Sequence, residues 1–95
     1  MTEIELQRLV LNYLRVKKIF HWRNNNIASR GRKFIGLRGV ADIIAVKDGV
    51  FYAIEIKSPD YGQSVEQKMF QFSVVSNGGQ YILVKSFEDI AKIFK

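Results

Sequence analysis

A chain of 95 residues with 47% hydrophobic residues has room for one domain with a real core, residues 1–95, and argues against wholesale disorder. Cysteine is absent, which excludes a disulfide framework and a cysteine-ligated zinc site, and no stretch approaches the roughly 18 apolar residues of a membrane span. Fifteen Lys and Arg against nine Asp and Glu leave a net charge of +6, which points either to a polyanionic partner, usually nucleic acid, or to an ordinary basic domain.

Taken in chain order, Thr2 to about Lys17 reads as a helix, with Leu6, Leu9, Val10, Tyr13 and Leu14 at helical spacing. Thr2 and Glu5 form the T-x-x-E capping-box pattern at its start. Ile19 to Arg23 is a short strand, in which His21 is read as structural and Trp22 as a core residue rather than a base-stacking platform. Asn24 to Gly39 is a basic, glycine- and asparagine-rich loop, with Phe34 to Leu37 read as an extended piece. Asp48-Gly49 is a two-residue turn signal between strands Val40–Lys47 and Val50–Lys57. Pro59 stops the second of these. Ser64 to Asn77 is a helix opened by a second capping-box pattern, Ser64-x-x-Gln67, and closed by Gly78-Gly79. Tyr81 to Lys85 is a strand, and Ser86 to Lys95 a terminal helix with Phe87, Ile90, Ala91 and Phe94 on one side. The order α-β-β-β-α-β-α implies an α/β fold, a mixed central sheet flanked by helices on both faces.

The hairpin carries charges that a buried strand pair should not. If the turn has two residues, Lys47 opposes Val50, and counting back along both strands sets Asp42 opposite Glu55. Their Cβ atoms would then lie about 5 Å apart, with Lys57 on the same face. Facing carboxylates repel, and burial obliges one to keep its proton unless a cation offsets them. Two readings stay open here: an Asp–Lys–Glu ion network, or a site for a hard divalent cation such as Mg²⁺. A third acid, Glu3, shares a helical stripe with Gln7, Val10 and Leu14. It is either a further ligand or an ordinary first-turn acid complementing the helix dipole.

An acid in one strand, a turn, then acid-x-Lys in the next resembles the PD-(D/E)xK nucleases. The pieces Glu3-x-x-x-Gln7, Trp22-Arg23-Asn24, Gly39-Val40-Ala41-Asp42, Glu55-Ile56-Lys57-Ser58 and Ser64-x-x-Gln67 look like the VRR-NUC branch, the virus-type replication-repair nuclease domain. Gly78-Gly79 and the "SFEDI" run fit its closing strand and helix, and the hairpin is also similar to that of Holliday junction resolvases. Two positions depart from the family's pattern. Ala41 replaces the proline before the aspartate, and Lys18 the glycine before the first strand.

The resemblance implies a restriction-endonuclease-like core and metal-dependent hydrolysis of DNA phosphodiesters with Mg²⁺ or Mn²⁺, on branched DNA such as four-way junctions. A non-catalytic nucleic-acid-binding module on the same fold is the alternative. Asp42, Glu55, the Ile56 carbonyl and Glu3 would ligate the metal, and Lys57 would stabilise developing charge. Gln67 would hold a phosphate or Lys57, or serve only as the capping partner of Ser64. Gln7 would support these groups from behind. Arg23, Asn24, Arg30, Arg32, Lys33 and Arg38 would contact phosphates, or form a solvated loop. A homodimer in the cytoplasm of a bacterium or a virus-infected host is implied, with no membrane association. The terminal helix and the Phe70, Phe72, Val74 and Val75 cluster are its candidate surfaces.

Overall fold

A computed structural model describes residues 1–24 and 36–95 of the chain. Arg30, Arg32, Lys33 and Phe34, singled out in the sequence, lie outside the described residues. The elements are α1 (Glu3–Val16), β1 (Phe20–Arg23), β2 (Ile43–Lys47), β3 (Val50–Ile56), α2 (Val65–Ser76), β4 (Gln80–Val84) and α3 (Phe87–Ala91). This is the expected order. The strands form one sheet in the order β1-β2-β3-β4; the first three are antiparallel neighbours, and β4 joins β3 in parallel.

The hairpin turn is the two-residue one its sequence demands. Lys47 pairs with Val50, and Asp48 and Gly49 both have positive φ, 52° and 79°. That is the type I′ geometry, whose twist matches that of the strands it joins. Alternation then sorts the side chains. Ile43, Ala45, Ile54 and Ile56 face α1 and α3, where they pack with Leu6, Val10, Leu14, Ile82, Val84, Ile90 and Phe94. Ile44 and Ala53 face the other way, towards Val74 of α2. Each large aliphatic side chain fully buried this way contributes about 1.5–3 kcal/mol.

Both long helices end in the same motif. In α2 the Gly79 N–H reaches the Val74 carbonyl and the Gly78 N–H reaches Val75, with Gly78 at φ 91°. In α1 the Ile19 N–H reaches Leu14 and the Lys18 N–H reaches Arg15. These are Schellman caps, whose left-handed position favours glycine. At α1 that position holds Lys18, at φ 59°. A left-handed conformation disfavours a residue with a Cβ by about 1–2 kcal/mol. Lys18→Gly is therefore expected to raise stability by about 1 kcal/mol after its own entropic cost, read as a higher urea midpoint with unchanged m.

Four expectations need correction. The first hairpin strand begins at Ile43, not Val40, because Asp42 turns its carboxylate into the ladder. The terminal helix is one short piece, Phe87–Ala91, and Ile90 within it and Phe94 beyond it are buried in the core, so they form no docking surface. The Tyr13 hydroxyl donates to the Phe94 carbonyl, and the Tyr52 ring meets the Phe94 ring edge-on at 4.8 Å, which ties the last residues down. On α2, Val74 is core, whereas Phe72 is 74% exposed and Val75 is also in solvent. Finally, Trp22 is not core. β1 is an edge strand, and Trp22 (43% exposed) leans on Phe20 (69% exposed) at 5.6 Å between ring centroids. His21 is structural as expected, its Nδ1 2.7 Å from the Ile19 carbonyl.

Candidate functional site

Asp42 sits one residue before β2. Its backbone still belongs to the sheet, since the Asn24 N–H donates to the Asp42 carbonyl at 2.8 Å. Its side chain does something else. Asp42 Oδ2 accepts the Ile56 backbone N–H at 2.8 Å, supplying the bond that the end of β2 no longer provides. Lys57, next in the chain after β3, sends its N–H the opposite way, to the Val84 carbonyl of β4. The Asp42 carboxylate is thus clamped against the backbone of the residue between Glu55 and Lys57.

Glu55 lies beside it, on the α2 face of the sheet. Only 3% of Glu55 is exposed, and its Oε1 is a buried atom without a hydrogen-bond partner. Burial, reinforced by the charge of Asp42 and a hydrogen bond between the two carboxyl groups, pushes the Glu55 pKa up to about 8. Lys57 acts in the opposite direction, and Glu3 adds to the rise. A buried acceptor left unpaired is unfavourable by about 1–3 kcal/mol. The pair can relieve this by holding a proton on Glu55 or by taking a cation in its place.

The carboxylates open onto a cleft of about 420 Å³ lined by Arg38, Gly39, Val40, Asp42, Glu55, Ser64, Glu66 and Gln67. Gln67 is there because α2 begins there. The Gln67 N–H donates to Ser64 Oγ and the Ser64 N–H donates to Gln67 Oε1, at 3.1 and 2.8 Å. The capping role is real, and it leaves the Gln67 amide nitrogen as the group available to the cleft. Gly39 seals the other wall. It adopts φ 78°, and a Cβ there would lie 2.3 Å from the Glu66 carbonyl oxygen.

Glu3 stands apart from the pair. Its Oε1 accepts the Ser58 backbone N–H at 2.7 Å, so α1 is tied to the end of β3 through this carboxylate. Among the described residues, no group of three or more Asp, Glu, His or Cys side chains is clustered closely enough to form a metal cage. Glu3 therefore influences the site as a nearby charge. Gln7, one turn along α1, is half-buried. Arg23 is exposed on β1, Asn24 abuts Asp42 through its N–H, and Arg38 lines the cleft.

Tyr81 joins the site without any signal in the sequence. It pairs with Ala53 across the parallel β3–β4 ladder, which places it on the face of Glu55. Burial raises the pKa of its largely enclosed hydroxyl to about 12, Gln63 acts against that rise, and Glu55 and Asp42 add to it. A single tyrosine near a chain end reveals none of this, because a parallel register cannot be counted from a turn.

No protein-family model matches the chain, and no curated protein matches it. A solved structure described as a VRR_NUC domain does match, with a TM-score of 0.70, covering 96% of this chain and 91% of that one at 17% sequence identity. The chain has the fold of a VRR_NUC domain, a restriction-endonuclease-like α/β core of a four-stranded mixed sheet between helices. At that identity the likeness establishes fold, so the chemistry has to come from this chain's own residues.

Proposed function

We propose that this chain, as a single domain, is a metal-dependent endonuclease that hydrolyses DNA phosphodiesters, preferentially in branched DNA such as four-way junctions. One observation carries the reading: on a nuclease-domain fold, a buried glutamate with an unpartnered oxygen lies against a second carboxylate at the mouth of a cleft. Such a donor set is all hard oxygen and, with both carboxyl groups ionised, carries two negative charges, which fits Mg²⁺ or Mn²⁺. Asp42, Glu55 and the Ile56 carbonyl would hold the ion, with Glu3 contributing through water or at a second position. A bound ion supplies Lewis-acid polarisation of the phosphate and an acidified water.

The chain's own groups supply the rest. Asp42 is oriented before any ligand arrives, because the Ile56 N–H fixes one of its oxygens. Lys57, beside the carboxylates, offsets the charge that develops on the phosphoryl oxygens. The Gln67 amide nitrogen points a donor at a phosphate while its oxygen caps α2. Gln7 steadies the Glu3 end of α1. Arg23, Asn24 and Arg38, together with Arg30, Arg32 and Lys33, position the strand through its phosphates without reading sequence. A homodimer would present two such sites to two strands. The exposed stripe Val65, Met69 and Phe72 along α2 is the surface that suits it.

The test is cleavage of labelled four-way junction, flap and linear duplex DNA with Mg²⁺, Mn²⁺ or EDTA, by the wild type, Asp42→Ala and Lys57→Ala. Metal-dependent cutting of the branched substrates is expected, falling by on the order of 10²–10³ in each variant. Binding without cleavage in any metal would leave only the binding-module reading. Cleavage that survives both substitutions would remove the site from these residues.

A further inference from the structure

The parallel ladder sets Glu55 beside Leu83 and Ile56 beside Val84, and the Lys57 N–H extends it to the Val84 carbonyl at 2.9 Å. Lys57 and Lys85 therefore leave the sheet side by side, about 4.8 Å apart in backbone spacing, at the carboxyl ends of the two parallel strands. Both line one cleft of about 340 Å³, which opens between the first turn of α1 and the start of α3. The molecule thus places two like-charged pairs within two residues of each other: Asp42 with Glu55, then Lys57 with Lys85.

Adjacent like charges destabilise a sheet unless something of opposite sign lies between them. Among the described residues neither ammonium is held in an ion pair. Of the acids nearby, Glu55 interacts with Lys57 through its charge without a close ion pair, Glu3 accepts the Ser58 N–H, and Asp89 Oδ2 accepts the Lys85 and Ser86 N–H groups while its other oxygen faces Lys92 at 3.9 Å. Glu88, which also lines the cleft, is exposed on α3. Lys85 itself is exposed, so its ammonium is available to an incoming anion.

We propose that Lys85 is a substrate-contacting residue. With Lys57 it clamps a backbone phosphate of the bound nucleic acid, on the side of the carboxylate pair away from Gln67. This rests on the nuclease reading above and adds to it the direction in which the strand runs, from the α2 cleft across the ends of β3 and β4 to the α1–α3 cleft.

The experiment measures binding of a labelled four-way junction and a linear duplex in EDTA as a function of salt, for the wild type, Lys85→Gln, Lys85→Arg and Lys47→Gln. Lys47 is an exposed lysine at the hairpin end, far from both clefts, and serves as the control for net charge. Lys85→Gln is expected to lower the slope of log K against log salt by about 1, on both DNAs alike, while Lys85→Arg restores it and Lys47→Gln leaves it unchanged. A slope unaltered in Lys85→Gln, or lowered equally in Lys47→Gln, overturns the clamp while the nuclease reading stands on its cleavage data. A wild type that binds neither DNA overturns both.

Discussion

Glu55→Gln is expected to make the metal-free protein more stable than the wild type above pH 8, and to abolish the DNA cleavage proposed for it. The first effect follows from linkage. In the unfolded chain the Glu55 carboxyl loses its proton near 4.5; folded, it keeps it to about 8. Across that window the folded state binds more protons, so wild-type stability falls as pH rises. Below the window both states are protonated and there is no penalty; above it the penalty is full. Each tenfold difference in proton affinity between the two states is worth about 1.4 kcal/mol. Part of the rise is shared with Asp42, so roughly 2–4 kcal/mol of stability should be lost. The amide of Gln has no proton to lose, and its stability should be flat across the same range. Thermal unfolding in EDTA from pH 5 to 9 reads both curves. Parallel curves would mean that Glu55 ionises without strain.

Gly39→Ala is expected to cost about 3 kcal/mol and most of the proposed nuclease activity. The added methyl would lie 2.3 Å from the Glu66 carbonyl oxygen and 2.8 Å from the Gln67 nitrogen, with φ at 78°. The obstacle is backbone in the first turn of a helix, so no side chain can rotate away. A left-handed alanine is strained even without the contact, and displacing the helix start adds to it. The start of α2 is also what carries Gln67 to the cleft, so the segment before Asp42 and the donor opposite it would move apart together. Urea unfolding reads the stability, and the junction-cleavage rate reads the geometry. A variant as stable as the wild type would show that the two segments are not in contact.

Where local chemistry decides structure, the sequence is a sufficient guide. Asp48-Gly49 has few conformations available to it, and from that turn the pairing of Ile43 with Ile54, and so the meeting of Asp42 and Glu55, can be counted. Thr2 and Ser64 announce their helices, because a hydroxyl three residues before a glutamate or glutamine satisfies exposed backbone N–H groups. What cannot be read depends on contacts between distant segments. Asp42 leaves its strand to hold the Ile56 N–H, which no periodicity reports. The β3–β4 pairing crosses through α2, so nothing local sets its register, and the sequence assigns Tyr81 and Lys85 no role. Trp22 and Phe20 alternate as a core strand would, but an edge strand leaves them partly in solvent. Glu3 does lie near the site, as its helical stripe suggests, and its carboxylate bonds a backbone N–H at the end of β3.

The most direct test of the central claim, that the Asp42–Glu55 pair exists to hold a cation, is calorimetric titration of Mn²⁺ into metal-free protein at pH 7. Wild type should bind saturably and release a proton, seen as an enthalpy that varies with the ionisation heat of the buffer, because Glu55 must give up the proton that burial keeps on it. In Glu55→Gln the binding should weaken by more than tenfold and the proton release should vanish. Equal affinity in the two proteins, or no binding to the wild type, would contradict the account.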